Sequence, residues 1–295
     1  MRRRRFALCV ALTTLLAVLF YGDCHMETLQ KNEHIITAYG TSPEQDLELF
    51  LPHGKTKTGL IVCIHGGAWI CGNRDMYSEK IADCCERLGF AAAAIDYRFL
   101  SETVCMSDIL DDITAALVRI QAIANENGIA LTGLLLTGHS AGGHLAELYA
   151  YKCADVSPIP PKAVVAEAGV ANLTDKKLVL ENSLDTPEAM ARILSHACGQ
   201  AFTPDTMDTA LAALEPISPI AVVNRDSVPT VLCHGQKDTV VPYAQSQQLY
   251  QKLQALGVPC EFVPYPNSNH GLHKDPDAAQ TAQKLFEQYA KTYLD

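Results

Sequence analysis

The stretch TGHSAGG at residues 137–143 holds Ser140 between Gly138 and Gly142, after the apolar run LLL and before HLAELYAY. A serine hydroxyl attacks a carbonyl carbon only when it stands clear of the backbone and a base takes its proton. The G-x-S-x-G spacing answers the first need. A sharp strand-to-helix turn lifts the Oγ, and side chains two residues away on either side would collide there, so both positions are glycine. The helix that follows aims its first N–H groups at the site, where they favour developing negative charge.

The second need is answered in the last third of the chain. CHGQKDTVVP carries Asp238 and YPNSNHGLH carries His270, each just past an apolar run that reads as a strand. An imidazole can act as the base and a carboxylate can orient it, in the chain order Ser140, Asp238, His270. His273, three residues on, is the competing base. HGGAW at 65–69 also follows a strand. Its small residues let a loop bring backbone N–H groups close to a carbonyl oxygen that becomes an anion on attack. The amides of Gly67, Ala68 and Ala141 are the expected oxyanion donors, and Gly66 is expected to serve loop geometry. Trp69 either lines the acyl pocket or packs in the core.

These groups must be set at one edge of a sheet. GLIVCIHGG (59–67), FAAAAIDY (90–97), KAVVAEAG (162–169) and PTVLCHG (229–235) are short apolar runs, as strands buried on both faces require, and LLLTG and CEFVPY read as further strands. DLELFLP alternates Leu47, Leu49 and Leu51 and reads as a half-exposed strand. Between them, YSEKIADCCERLG gathers Ile81, Cys84, Cys85 and Leu88 on one helical face and stops at Gly89. SDILDDITAALVRIQAIA puts Ile109, Ile113, Ala116, Leu117 and Ile120 on one stripe, with Ser107 as the expected N-cap. The helix after Ser140 turns Leu145, Leu148 and Tyr149 inward. Alternation of this kind predicts an α/β fold, a mainly parallel, doubly wound sheet with helices on both faces. Residues 172–216 offer no strand and only weak helical pieces. They read as a small helical insertion over the C-terminal sheet edge, where ligands bind in such folds.

HGGAW, GHSAGG, HGQKDTVVP and NSNHG, in this order over residues 45–293, resemble the α/β-hydrolase superfamily, and within it the esterase/lipase group with an HGG-type oxyanion motif. That group includes carboxylesterases, carbohydrate esterases of the acetylxylan and feruloyl type, and arylformamidases. The resemblance implies a serine hydrolase that cleaves small carboxylic esters through an acyl-enzyme on Ser140. Members often carry a third glycine where this chain has Ala68. The alanine keeps its N–H, but its methyl narrows the acyl side, so a short acyl group such as acetyl is expected, on a small-molecule or carbohydrate ester. The alternatives are a serine peptidase or arylformamidase of the same fold, and a non-catalytic binding module on this scaffold. A module without activity should lack one of the four parts, and none is missing.

Composition narrows the partners. The chain has 295 residues, 48% hydrophobic and 19% charged, with a net charge of −10. That is globular, and it argues against a nucleic-acid surface. The one basic cluster, RRRR at 2–5, precedes an apolar run from Phe6 to Phe20. This is the layout of a secretory signal, short for a membrane span. Residues 1–24 are therefore expected to direct export, with an uncleaved or lipidated anchor as the rival and 25–295 as one domain. Eleven cysteines follow no regular spacing and include no C-x-x-C, so most are expected to be buried thiols. His139 and His144 are five apart and do not share a helix face, so no metal is expected, and no other cofactor. His65 and His139 are expected to buttress the site's loops, Asp96 and Arg98 to pair with each other, and Glu167 to be a satisfied buried carboxylate.

Overall fold

The computed structural model describes residues 32–54, 57–181, 183 and 185–295. The N-terminal segment expected to direct export lies outside them, as do Cys9 and Cys24. Eight strands form one sheet: β1 (Glu33–Ala38), β2 (Asp46–Leu51), β3 (Gly59–Ile64), β4 (Ala91–Ile95), β5 (Gly133–His139), β6 (Pro161–Glu167), β7 (Thr230–Gly235) and β8 (Cys260–Tyr265). Their order is β1-β2-β4-β3-β5-β6-β7-β8. From β4 to β8 every pairing is parallel, and β1 and β2 add an antiparallel edge. The mainly parallel, doubly wound α/β arrangement expected from the sequence is therefore the one observed.

Burial explains the apolar runs. β3, β4 and β7 are buried along their whole length, because helices cover both faces of the sheet. One face carries α1 (Ser78–Asp83), prolonged by a π turn over Cys84–Leu88, and the C-terminal α9 (Pro276–Leu294). The other carries α2 (Met106–Glu126), α3 (Ala141–Lys152) and α8 (Ala244–Leu256). Gly89 closes the first of these helices in the left-handed conformation, φ 73°.

Three local expectations are corrected. β2 is not half exposed: Glu48, on its polar face, is buried between the His34 imidazole (2.7 Å) and the Ser78 hydroxyl, which both bond its carboxylate. The edge strand β1 supplies that cover. The N-cap of α2 is Cys105, not Ser107, and the Asp108 carboxylate accepts the Cys105 N–H at 2.8 Å. Asp96 and Arg98 do not pair. Arg98 binds Asp112 of α2 (2.8 Å), whereas Asp96 accepts the Arg74 backbone N–H, so each finds its partner on a different element.

Residues 172–217 fold as short helices, α4 (Lys176–Leu180), α5 (Pro187–Cys198) and α6 (Leu211–Leu214), linked by 3-10 turns, and the short α7 (Pro219–Val222) follows. Thr186 caps α5 by accepting the Ala189 N–H. The return of this segment covers the outer side of α3. As a result α3 is buried all round rather than on one stripe, and His144 donates its Nε2–H to the Ile217 carbonyl at 2.9 Å.

The same cover traps Glu147, which is 0% exposed and has no partner for either carboxylate oxygen among the described residues. Burial pushes its carboxyl well above the usual range. A carboxyl raised on folding contributes stability that is present below its unfolded value and is lost as pH rises. Glu147→Gln is therefore expected to raise the urea midpoint at pH 8 and to change it much less at pH 4.5. An unchanged midpoint at pH 8 would contradict this reading.

The described cysteines are all free thiols: Cys63, Cys84, Cys85 and Cys233 are buried, Cys71 is exposed, and Cys105, Cys153, Cys198 and Cys260 are partly buried. Fewer are fully buried than the composition suggested, since several sit at helix ends. No helix among the described residues is long and apolar enough to cross a membrane.

Candidate active site

Ser140 sits between β5 and α3 with φ 60° and ψ −122°, a backbone conformation that costs about 1–3 kcal/mol for a residue with a side chain. The turn is held by the Ser140 N–H, which donates to the Glu167 carbonyl of β6 at 2.8 Å. The flanking glycines are required by close approach. A Cβ on Gly138 or Gly142 would lie 2.5 or 2.0 Å from the Ile64 carbonyl oxygen. Ala141 is the first residue of α3, so its N–H has no acceptor within the helix.

The HGGAW loop lies against this turn, since a Cβ on Gly66 would come within 2.7 Å of the His139 carbonyl oxygen. Gly67, Ala68 and Trp69 all have positive φ, at 118°, 51° and 61°. The curl points the Gly67 carbonyl into its own turn, where it accepts the N–H groups of Ile70 (3.0 Å) and Cys71 (3.1 Å). In a trans peptide the next N–H points the opposite way, so the Ala68 amide faces out of that turn. His65 braces the loop. It stacks on Tyr97 (centroids 4.3 Å apart), and its Nδ1–H donates to the Gly66 carbonyl at 2.7 Å.

Ala68, Trp69, Ser140 and Ala141 border one cavity together with Val170, Leu178, Met190, Val240 and Val241. Trp69 both lines and packs: it is 2% exposed, and its Nε1–H donates to His144 Nδ1 at 3.2 Å.

Asp238 and His270 meet on the loops after β7 and β8. His270 Nδ1–H donates to Asp238 Oδ2 at 2.7 Å, which leaves the Nε2 lone pair as the basic position. The other oxygen, Oδ1, accepts the N–H groups of Val240 (2.8 Å) and Val241 (2.9 Å). His234 Nε2 lies 3.1 Å from Oδ2 and also donates to the Val241 carbonyl. Burial alone would raise the Asp238 carboxyl, but the bonds from His234 and His270 outweigh it and hold the group well below the usual carboxylate range.

His139 connects the two halves of the site. Its Nε2–H donates to the His270 carbonyl at 2.7 Å, and the two rings stand 4.6 Å apart. Burial, with His270 beside it, keeps His139 below the ordinary histidine value, so it is neutral at pH 7. His273 makes no bond to Asp238 and lines a separate cavity with Lys80 and Glu167. No group of His, Cys, Asp and Glu able to hold a metal is found among the described residues.

The contributions of His234, Leu178 and Met190 are not evident in the sequence. The first is visible only as part of the HGQKD run, and the other two are ordinary apolar positions in weak helices. Glu167 is not a satisfied carboxylate either, because its side chain makes no hydrogen bond or ion pair among the described residues.

Comparison with known proteins agrees with this architecture. The chain is similar to esterase LipC of Mycobacterium tuberculosis, at 26% identity over 79% of this chain and 58% of that protein. It is also similar to the probable carboxylic ester hydrolase LipM of the same organism, at 27% over 78% and 53%. It thus spans little more than half the length of these relatives. Among solved structures, a truncated carbohydrate esterase from gut microbiota superposes with a TM-score of 0.69 at 22% identity, covering 88% of this chain and 97% of that one. Esterase B of Lactobacillus rhamnosis gives 0.69 at 24%, covering 97% and 93%. These likenesses show the shared fold. A family model described as BD-FAE matches residues 47–253, a span that holds the HGGAW loop, Ser140 and Asp238. That match, with the sheet order and the elbow geometry, identifies the chain as a member of the BD-FAE family, within the esterase/lipase group of the α/β-hydrolases.

Proposed function

We propose that the protein is a serine carboxylic-ester hydrolase acting on short acyl groups, acetyl above all. One observation carries the acyl preference. The apolar cavity that Ser140 shares with Ala68, Trp69, Leu178 and Met190 measures about 20 Å³, room for a single water or methyl-sized group.

In this reading Ser140 Oγ attacks the acyl carbon and its proton passes to His270 Nε2. The amides of Gly67, Ala68 and Ala141 receive the developing oxyanion, and the acyl methyl enters the small cavity. Asp238 holds the imidazolium in place by the Nδ1 bond. The alcohol leaves with the proton from His270, and water, deprotonated by the same nitrogen, then releases the carboxylic acid and frees Ser140. Carbohydrate esters are the favoured natural substrates, supported by the similarity to a carbohydrate esterase of gut microbiota. Export by residues 1–24 rests on their sequence layout.

The test is a p-nitrophenyl ester series. kcat/KM is expected to fall from acetate to octanoate by about 100-fold or more, because each methylene that cannot enter costs about 1–3 kcal/mol. Met190→Ala enlarges the cavity wall and is expected to raise butyrate turnover relative to acetate by about tenfold. Octanoate turnover equal to that of acetate in the unaltered protein would overturn the short-acyl assignment.

A further inference from the structure

A second cavity, of about 320 Å³, adjoins the loop that carries His270. It lies between α1, the end of β6, residues 271–273 and α9, and its volume is within the range of small-molecule sites. Two oppositely charged side chains, Lys80 and Glu167, line it. Lys80 makes no hydrogen bond or ion pair among the described residues, and its ammonium stands 4.9 Å from the centroid of the Phe286 ring and 5.8 Å from that of Tyr77. The Glu167 carboxylate, in the same wall, has no donor or cation bonded to it either. The two are too far apart to form an ion pair with each other, yet both belong to one enclosure. Burial lowers the Lys80 ammonium, but Glu167 together with the neighbouring Cys63, Cys84 and Cys233 outweighs it and raises the group above the ordinary lysine value.

The wall selects its ligand by exclusion. A simple anion that satisfies Lys80 meets the charge of Glu167, and a simple cation meets that of Lys80. A zwitterion must shed the hydration of both its charges while matching a fixed separation. A hydroxyl group both donates and accepts, so a neutral molecule with several hydroxyls can bond each charged group through charge-assisted hydrogen bonds. Phe286 and Tyr265 offer apolar surface to its C–H face, and His273 and Gln283 add polar contacts. We propose that this cavity binds a neutral polyhydroxylated ligand of monosaccharide size. The inference does not rest on Ser140 or on ester cleavage, since none of the side chains invoked for this cavity belongs to that site.

The experiment is titration of the full protein with D-xylose, D-glucose and L-arabinose, and separately with glycine and with sodium acetate. Binding is read by calorimetry, and its place by the imidazole NMR signals of His273, assigned with His273→Gln. At least one aldose is expected to bind saturably, to shift the His273 signals, and to bind about tenfold more weakly to Lys80→Met, which keeps the apolar stem and removes the charge. The NMR readout in the unaltered protein locates the site even if that variant folds poorly. The proposal is overturned if no aldose binds up to about 50 mM, well beyond useful small-ligand affinities. It is equally overturned if binding leaves His273 unmoved, or if glycine or acetate binds as tightly as the sugars.

Discussion

Ser140→Ala is expected to lower kcat for p-nitrophenyl acetate by about 10⁶-fold, the loss that follows removal of a serine nucleophile acting with its base as one unit. The same variant should no longer be labelled by a fluorophosphonate probe. Its fold should be intact, because the site chain is 9% exposed and the elbow is held by backbone bonds, the Ser140 N–H to Glu167 and the His144 N–H to the Ser140 carbonyl. Alanine carries a Cβ, so it inherits the cost of φ 60°. Ser140→Gly removes that cost and should unfold at higher urea concentration than Ser140→Ala, though equally inactive. Retained turnover in either variant would remove Ser140 from the mechanism.

Asp238→Asn is expected to cost about 10⁴-fold in kcat while leaving the loop geometry in place. The carboxylate accepts from His270 Nδ1, and an amide nitrogen in that place would turn the imidazole to the wrong tautomer. Stability should respond as well, with a definite sign. Asp238 is held below its unfolded value, so its contribution is present above the ordinary carboxylate range and is lost as pH falls through that range. The Asn variant should therefore show a flatter loss of stability between pH 5 and pH 2.5 than the unaltered protein, measured by urea midpoints. A steeper acid limb in the variant, or full activity, would contradict the role assigned to the His270–Asp238 bond.

The parts of the site that could be read from the sequence are those set by local backbone geometry. Gly138 and Gly142 flank Ser140 because the Ile64 carbonyl passes within a few ångströms, and that constraint recurs wherever a serine sits on such a turn. The loops bearing Asp238 and His270 were recognisable as the ends of apolar strands. Partners contributed by distant segments were not. Asp96 and Arg98 are neighbours in sequence, yet their bonds run to Arg74 and Asp112 on other elements. Glu48 looked solvent-facing because alternation reports one buried face and says nothing of another strand and a helix covering the other.

The sequence by itself determined the parallel α/β sheet, the strained turn at Ser140 and the loops after the last two strands that carry Asp238 and the candidate histidines, because strand burial and turn strain are written in residues a few positions apart. Only the tertiary structure decided which histidine Asp238 holds, choosing His270 over His273, since that choice depends on where the loop after β8 directs each ring. It also decided the size of the apolar cavity beside Ser140. Met190 and Leu178 come from helices with weak sequence signals, and their positions against Ser140 are fixed by how the insertion packs over α3 and the sheet edge. Volume is a property of that packing, to which residues far apart in the chain contribute together.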